Sequence, residues 1–268
     1  MIEVEGVHFS YGKNKVLNGV SFSVHKGEYT CILGANGCGK TTLLKTLLGF
    51  LKPQQGRVTL NDRDVHSMDE RELAKHVAYI PQSHTPPFPF TVQDVVLLGR
   101  TPHLSRTCRP TDKDIRIAKD AMDRLGIGHY AKRSYTELSG GQRQMVIIAR
   151  ALTQQPDILI MDEPTANLDF GNQYLVLAQM RDLAQDGMGI LMVTHNPDHA
   201  LYSADRIIAM REGRIVSLGA SHKVINEDTM RNIYHMNIKV RDVNIEPGAQ
   251  ATVCIPVPDL LDLQACNL

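Results

Sequence analysis

The sequence predicts an α/β fold with a parallel sheet at its centre, an antiparallel β layer at its front and a helical insertion. Three observations lead to this prediction. The first thirty residues alternate between apolar and polar positions, which is typical of half-buried strands. The segments ILIMDEP and GILMVTH are short, uninterrupted apolar runs, as expected for central strands covered on both faces. Amphipathic segments between these strands favour helices packed against a parallel sheet.

Two amphipathic helices are predicted, one from Lys40 to a stop at Pro53 and one capped by Thr111 and closed by Gly126. Their apolar faces comprise Leu43, Leu44, Leu47, Leu48 and Leu51 in the first helix, and Ile115, Ala118, Met122 and Leu125 in the second. Between these helices, residues 83–110 are rich in proline and are predicted to form a loop.

The C-terminal third is predicted to end in an appendage to the main domain. The segment DRIIAMREGRIVSLG predicts two strands around a Glu-Gly turn, and a helix is expected over residues 222–236. Two short strands, NIKVRDV and ATVCIPV, follow. We therefore expect a main domain over residues 1–220, with a helical subdomain at about 90–155, and an appendage over 221–268 in which no chemistry is evident.

Composition is that of a globular protein from a reducing compartment. Lys plus Arg equals Asp plus Glu at 29 each, so bulk charge does not favour binding to nucleic acid. The N-terminus lacks the pattern of a secretory signal, and no apolar run approaches the ~20 residues of a membrane span. The scattered cysteines form no CxxC pattern, which favours free thiols over disulfides or a zinc site. They are Cys31, Cys38, Cys108, Cys254 and Cys266.

The segment GANGCGKTT, residues 34–42, fits the phosphate-loop pattern G-x-x-x-x-G-K-[ST]. It follows the predicted strand YTCIL and precedes the first predicted helix, a context in which backbone amides wrap around phosphates. Lys40 is expected to reach the β- and γ-phosphates of a nucleotide, and the Thr41 hydroxyl to bind Mg²⁺. Cys38 lies at the helix N-terminus, so we expect a thiol of low pKa.

Two carboxylates follow the apolar strand ILIM. Asp162 is expected to hold Mg²⁺, directly or through water, and Glu163 to orient and deprotonate an attacking water. Together they indicate a nucleotide hydrolase rather than a nucleotide sensor. His195 ends the second apolar strand and by itself is more often structural. It lies four residues before His199, but Pro197 and the missing third ligand argue against zinc.

The motifs GANGCGKTT, LSGGQ, ILIMDEP, NLD and TH occur in this order. Because its motifs occur in this order, the chain resembles the ATP-binding cassette (ABC) ATPases over about residues 1–220. The presence of LSGGQ between GANGCGKTT and ILIMDEP is far more specific for this family than the phosphate loop alone. The resemblance implies a P-loop NTPase cassette with a RecA-like core that hydrolyses ATP with Mg²⁺.

The resemblance also implies roles for matching residues. Tyr11 would stack on adenine, Gln82 would touch magnesium and water, and Asp169 would be the D-loop acid. His195 would be the switch histidine near the γ-phosphate. The implied ATP-binding set is Tyr11, Gly34, Ala35, Asn36, Gly37, Cys38, Gly39, Lys40, Thr41 and Thr42; the implied metal set is Thr41, Gln82 and Asp162; and the implied catalytic set is Glu163, His195 and Gln82.

The stretch LSGGQRQ opens a predicted helix with a hydroxyl and two glycines. Such a helix start suits an anion because its first amides are unpaired. The resemblance implies that the anion is the γ-phosphate of ATP held by a second copy of the chain, in a homodimer. Its contacts would be Ser139, Gly140, Gly141 and Gln142. The sequence alone also permits contact within one chain.

Three classes of cassette protein compete with an importer ATPase. Repair and chromosome ATPases carry long coiled coils between these motifs, whereas no sustained heptads separate Lys40 from Asp162. Translation-type factors carry two cassettes, and only one phosphate-loop motif is present. A soluble scaffold ATPase for cluster assembly stays open. The segments FPFTVQDVVLLGRTPH, THNPDHAL and ADRIIAMREGRIVSLG resemble importer ATPases for iron chelates, haem and vitamin B12, or for molybdate and tungstate in a close branch.

An importer ATPase implies an integral membrane permease as partner, and indirectly a substrate-binding protein. The chain would then lie peripherally at the cytoplasmic face of the membrane. Prolines stiffen the segment HTPPFPF, and Phe88 and Phe90 offer apolar surface to a permease beside Gln82. The alternative is a surface loop with both rings tucked inward. The transported solute does not follow from the sequence.

Overall fold

The computed structural model describes residues 1–82, 90–105, 108–246 and 249–257. The strands are β1 (Ile2–Tyr11), β2 (Asn14–Val24), β3 (Tyr29–Leu33), β4 (Gln55–Leu60), β5 (Arg63–Asp64), β6 (Val77–Ile80), β7 (Ile158–Asp162), β8 (Gly189–Thr194), β9 (Arg206–Arg211), β10 (Arg214–Ala220), β11 (Ile238–Glu246) and β12 (Ala249–Pro256). The α-helices are α1 (Lys40–Leu47), α2 (Glu70–His76), α3 (Val92–Leu97), α4 (Asp112–Arg124), α5 (Gly140–Thr153), α6 (Phe170–Gln185), α7 (Pro197–Ser203), α8 (Ser221–Val224) and α9 (Glu227–Tyr234). Short 3₁₀ segments lie at Val65–Ser67, Leu98–His103, Gly128–Tyr130 and Tyr135–Glu137.

The predicted parallel core is present as a sheet of strand order β10-β9-β3-β8-β7-β6. Strands β9, β3, β8, β7 and β6 run parallel, and β10 is an antiparallel edge strand. Every residue of β3, β7 and β8 is buried, which explains their uninterrupted apolar sequences. The carboxyl ends of these three strands lie at the same edge of the sheet, so the segments that follow them converge there.

The predicted antiparallel layer is a second sheet of order β2-β1-β4-β5. A β-bulge between Val4 and Val7 shifts the register of β1, and Val7 and Phe9 therefore return to the buried face. Helix α1 packs between the two sheets through its fully buried leucines. These are Leu43, Leu44 and Leu47.

Helix α1 ends earlier than predicted. It stops at Leu47 rather than continuing to Pro53, because Gly49 adopts a left-handed conformation with φ of 76°. The amide of Phe50 then donates back to the Lys45 carbonyl at 2.9 Å.

The predicted loop over residues 83–110 is wrong for its described middle part, which is helical. Thr91 caps α3 through a reciprocal capping box with Asp94, and the Leu98–His103 turn of 3₁₀ helix continues it. The predicted second helix is confirmed as α4, with Thr111 as its cap and Gly126 just beyond its end. Helices α3, α4 and α5 pack against one another and form the helical insertion.

The predicted C-terminal helix over 222–236 is wrong as a single helix. It is divided into α8 and α9 because the Asn226 side chain accepts from the Thr229 amide at 2.9 Å and starts a new helix. The two predicted strands are confirmed as the β11–β12 hairpin. Glu227 of α9 holds this hairpin, accepting from Lys239 at 2.8 Å and Arg241 at 2.6 Å.

Within the described part of the chain, every helix is too short or too polar to cross a membrane.

Candidate functional site

The loop between β3 and α1, residues 34–42, has a shape that depends on two glycines. Gly39 has φ of 106°, and a Cβ there would lie 2.9 Å from the Val16 carbonyl oxygen of β2. A Cβ at Gly34 would lie 2.6 Å from the Met210 carbonyl oxygen of β9. The loop is therefore pressed against two neighbouring strands, and neither glycine tolerates a side chain without movement of backbone.

The turn between β9 and β10 forms the back of this loop. The Gly213 amide donates to the Cys38 carbonyl at 2.9 Å, and the Asn18 amide donates to the Gly213 carbonyl at 2.9 Å. A Cβ at Gly213 would lie 2.1 Å from the Val16 carbonyl oxygen. Residues from the far end of the cassette thus fix the loop from behind.

Lys40 begins α1 and is 6% exposed. Its ammonium donates to the Gly34 carbonyl at 2.7 Å and to the Ala35 carbonyl at 3.0 Å. A buried cation inside a loop of backbone amides at a helix start is a suitable environment for a phosphate group.

A cleft of about 380 Å³ opens in front of the loop. It combines segments that are far apart in the sequence: β2, the phosphate loop with the start of α1, the second residue after β6, and the last residue of β7 with the residue that follows it. Its walls are Val16, Asn36, Gly37, Gly39, Lys40, Thr41, Thr42, Gln82, Asp162 and Glu163. Tyr11, the predicted adenine contact, lies outside these walls at the end of β1, 49% exposed and with its ring 5.0 Å from that of Phe9.

Asp162 ends β7 and is 6% exposed. The Thr41 hydroxyl donates to its Oδ2 at 3.5 Å. Burial, and then the neighbouring charge of Glu163, raise the pKa of Asp162. A desolvated carboxylate beside a second carboxylate favours a bound cation, and the oxygens of Thr41, Asp162 and Gln82 are the hard ligands that Mg²⁺ prefers. The residues present therefore fit a magnesium site.

Glu163 is held from two sides. Its Oε2 accepts from the Gln82 amide at 3.1 Å, and its Oε1 lies 2.9 Å from His195 Nδ1. Its backbone adopts φ of 48°, which is uncommon for a residue with a side chain, and its amide donates to the Val193 carbonyl at 3.0 Å. The segments following β6, β7 and β8 thus converge on one carboxylate.

His195 and His199 have different environments. The His195 side chain is 54% exposed and faces Glu163, whereas His199 is 4% exposed and bonds to the Thr165 hydroxyl at 3.2 Å. Burial lowers the pKa of His199. Over the ranges that the structure describes, His, Cys, Asp and Glu side chains form no group of three or more suited to a metal.

The expected low pKa of Cys38 is wrong. Its side chain is turned inward from the loop and is 6% exposed. Burial raises the pKa of the thiol more than the nearby Lys40 charge lowers it. The helix start therefore does not produce a reactive thiolate at this position.

A reagent that labels thiols should consequently distinguish Cys38 from the exposed Cys108. We expect a maleimide to modify Cys108 at least about tenfold faster, because reaction requires an accessible thiolate. Peptide mapping by mass spectrometry after timed quenching measures both rates. A Cys108→Ser variant removes the fast reaction, and equal labelling of Cys38 in the native chain would contradict the inference.

The signature stretch begins α5, with Ser139 as the cap. The Gln142 amide donates to the Ser139 hydroxyl at 3.4 Å, and the Ser139 amide donates to the Gln142 side-chain oxygen at 3.0 Å. The Gln142 side-chain nitrogen also donates to the Tyr130 hydroxyl at 2.8 Å. The Gln142 side chain is thus engaged within its own chain, while Ser139 and Gly140 lie at the surface.

Close packing explains why position 141 is a glycine, a requirement that the sequence did not reveal. A Cβ at Gly141 would lie 2.7 Å from the Asn172 side chain of α6. Asn172 in turn donates through its backbone amide, at 2.9 Å, and its side chain, at 2.6 Å, to Asp169. These bonds make Asp169 the cap of α6 and lower its pKa.

Gly140 lines a second cleft of about 210 Å³. The walls of this cleft are Pro81, Gln82, Tyr135, Gly140, Arg143, Gln144, Ile147, Ala166, Asn167 and Leu168. Gln82 is common to both clefts, whereas Lys40 lines the first and Gly140 the second. The signature and the phosphate loop therefore line different surfaces of one chain.

A phosphate loop after β3 and two carboxylates at the end of the parallel strand β7 define a P-loop nucleoside triphosphatase. Residues 17–166 match the ABC transporter family. The chain belongs to the ABC transporter family, as an ATP-hydrolysing cassette that binds ATP. The predicted family, fold class and ATPase activity are confirmed.

Similarity to known members extends over nearly the whole chain. The iron(3+)-hydroxamate import ATP-binding protein of Bacillus subtilis is 34% identical, over 95% of this chain and 94% of that protein. The molybdate import ATP-binding protein of Haemophilus influenzae is 33% identical, over 88% of each chain. A solved ABC transporter assigned to the metal-chelate type, in an inward-facing conformation, has a TM-score of 0.87 at 30% identity, over 97% of this chain and 98% of that one.

Proposed function

We propose that this chain is the ATPase of an importer that takes up a metal chelate, such as an iron siderophore, haem or cobalamin, through a separate permease. The observation that carries the proposal is the likeness to the metal-chelate type transporter over 97% of the chain. That extent includes most of the appendage after residue 220, which lies beyond the catalytic motifs.

Import of molybdate or tungstate is a second candidate. It is supported by the molybdate relative, whose identity of 33% is close to the 34% of the iron-hydroxamate relative. Identity of this order does not separate the two solutes, and the cassette itself does not contact the solute.

In the proposed reaction, the ATP-binding set named above holds the nucleotide, with Tyr11 against adenine and residues 34–42 around the phosphates. Water attacks the γ-phosphorus in line, and Glu163 removes its proton while the bond to the ADP oxygen breaks. His195, bonded to Glu163 Oε1, fixes the direction of that carboxylate. Lys40 neutralises charge on the β- and γ-phosphates.

Thr41, Gln82 and Asp162 would hold Mg²⁺. The ion would supply positive charge to the phosphate oxygens, where charge builds up during transfer. Gln82 would have two functions, because its side chain also donates to Glu163.

We further propose that two copies form a homodimer with ATP at the shared surface. The support is that Ser139 and Gly140 lie at the surface and are not among the walls of the cleft that contains Lys40. Ser139, the amides of Gly140 and Gly141, and Gln142 would then contact the γ-phosphate bound by the partner. Asp169 would lie near the same surface as the D-loop acid.

The permease would bind beside Gln82 and keep the chain at the cytoplasmic face of the membrane, with a substrate-binding protein as an indirect partner. Phe90 is 40% exposed, and its carbonyl accepts from the Tyr135 amide at 2.9 Å. Phe88 lies outside the described residues. Nucleic acid is not among the proposed partners.

Reconstitution of this chain with its permease in liposomes tests the solute. We expect ATP-dependent accumulation of a ferric hydroxamate, haem or cobalamin in the presence of the matching binding protein, and loss of both hydrolysis and transport in Lys40→Ala. Accumulation of molybdate instead would overturn the chelate proposal and keep the importer. Hydrolysis without transport of any of these solutes would overturn the importer itself.

A further inference from the structure

The C-terminal appendage contacts the segment that carries His195. Tyr234 is the last residue of α9, and its hydroxyl donates to the His195 carbonyl oxygen at 2.7 Å. A second bond joins the same two regions, because the Cys254 amide of β12 donates to Asp198 Oδ1 at 2.9 Å. The part of the chain for which the sequence predicts no chemistry therefore reaches the link after β8.

The Tyr234 hydroxyl is held in place by the way α9 is fixed. Met230 and Ile233 are buried in the core beneath the helix. Arg211, at the end of β9, donates to the Asn232 carbonyl at 3.2 Å and to its side-chain oxygen at 2.6 Å. The helix therefore cannot move the tyrosine away without losing packing and ion–dipole contacts.

The segment that receives this bond is short. Strand β8 ends at Thr194 and α7 begins at Pro197, so His195 and Asn196 alone connect them. Asn196 is fixed on both sides, since its amide donates to the Thr194 hydroxyl at 3.1 Å and its side chain caps α7. The His195–Asn196 peptide is therefore held at both of its polar groups, by Thr194 at the amide and by Tyr234 at the carbonyl oxygen.

We propose that Tyr234 is a positioning residue for ATP hydrolysis, which sets the backbone of His195 so that its imidazole meets Glu163. The inference rests on the proposed roles of Glu163 and His195. With the Tyr234 hydroxyl in place, the His195 carbonyl is held on one side of the link and Nδ1 lies 2.9 Å from Glu163 on the other. Without it, the peptide is held at its amide alone, and the ring is less closely fixed against the carboxylate.

The test uses Tyr234→Phe in the full chain, with Tyr202→Phe as a matched control that removes a tyrosine hydroxyl from the neighbouring α7. We expect kcat for ATP hydrolysis to fall about three- to tenfold in Tyr234→Phe, which corresponds to the loss of one hydrogen bond that positions His195. The KM for ATP and the melting temperature should stay close to those of Tyr202→Phe. An equal kcat in the two variants would overturn the proposal.

A double-mutant cycle distinguishes positioning of His195 by Tyr234 from a general effect of Tyr234 on the structure. Because Tyr234 acts through His195, Tyr234→Phe should cause no further loss in single-turnover hydrolysis when His195 is already Ala. An undiminished loss in that background would show a structural effect and overturn the proposal. Activity of His195→Ala equal to that of the native chain would instead contradict the proposed role of His195, which is a different failure.

Discussion

Glu163→Gln is expected to bind ATP and leave it uncleaved. Glutamine keeps the shape of the side chain and can still bond to its neighbours Gln82 and His195, but it cannot accept a proton from water. Loss of a general base lowers the rate by about 10²–10⁴-fold. Phosphate release measures hydrolysis, and a fluorescent nucleotide measures binding.

The same variant should convert ATP into a link between two chains. If Ser139 and the neighbouring amides contact the partner's γ-phosphate, each site adds a few charge-assisted hydrogen bonds of about 1.5–3 kcal/mol. We expect a dimer with ATP and a monomer with ADP in analytical ultracentrifugation. Adding Ser139→Arg should restore the monomer, because the long side chain fills the phosphate pocket while Lys40 still binds nucleotide.

A mixing control distinguishes contact between chains from contact within one chain. In the Glu163→Gln background, Ser139→Arg chains are mixed with Lys40→Ala chains. Contact between chains leaves one complete site per mixed pair, whereas contact within a chain leaves none. ATP-dependent pairing of the mixture no greater than that of either variant alone would show that Ser139 serves its own chain.

The largest effect on stability is expected from Arg100→Met. The Arg100 and Asp114 side chains are only 6% and 8% exposed, and Arg100 Nε donates to Asp114 Oδ1 at 2.8 Å. Arg100 also donates to the Thr153 carbonyl at 2.9 Å and to the Gln155 side chain at 3.1 Å, and so joins the ends of α4 and α5. Breaking a buried pair by removing one partner costs about 3–5 kcal/mol of unfolding free energy.

Urea denaturation followed by circular dichroism measures this loss. The matched control is Arg63→Met, whose ion pair with Glu72 is largely exposed, so its loss should lower the unfolding free energy far less than Arg100→Met does. Replacing both partners, in Arg100→Met with Asp114→Leu, should recover part of the stability because no unpaired charge stays buried. Equal losses for Arg100→Met and Arg63→Met would contradict the buried network.

The pH dependence of this pair has a defined sign. Hydrogen bonds from Thr111, and then from Arg100, lower the pKa of Asp114. A carboxyl whose pKa is lowered by folding contributes stability above its unfolded value of about 4, and that stability is lost as the pH falls through the folded value. The contribution of Asp114 should therefore be constant at neutral pH and decline progressively once the pH falls below about 5.

Much of the fold and of the candidate site could be predicted because local patterns determined it. The strands β7 and β8 are buried along their whole lengths, so the end of β7 was predicted at Asp162, and the end of β8 was predicted at His195, one residue beyond its observed end at Thr194. The phosphate loop follows a fixed pattern between a strand and a helix. In a parallel sheet, such strand ends meet at one edge, and Lys40, Asp162 and Glu163 line one cleft there.

The parts that were missed depend on contacts that the sequence does not display. Prolines suggested a loop around α3, although the Thr91–Asp94 capping box was a signal for a helix. Asn226 interrupts an otherwise helical pattern in the tail. The need for glycine at position 141 comes from Asn172 on another helix, and the Tyr234 bond to His195 joins a side chain to a distant backbone. Neither contact has a local pattern.

The turn that closes the back of the phosphate loop has a consequence for biosynthesis. The phosphate-loop motif ends at Thr42 in the sequence. In the folded chain, however, the Cys38 carbonyl accepts a hydrogen bond from the Gly213 amide, and the Gly213 carbonyl accepts one from the Asn18 amide. Contacts between such distant positions form late, and a chain emerging from the ribosome makes its N-terminal part first. A nascent chain that stops short of this turn therefore carries the whole motif without its final shape. ATP, which stabilises only the folded state, can support folding only after the last strands of the cassette have been made.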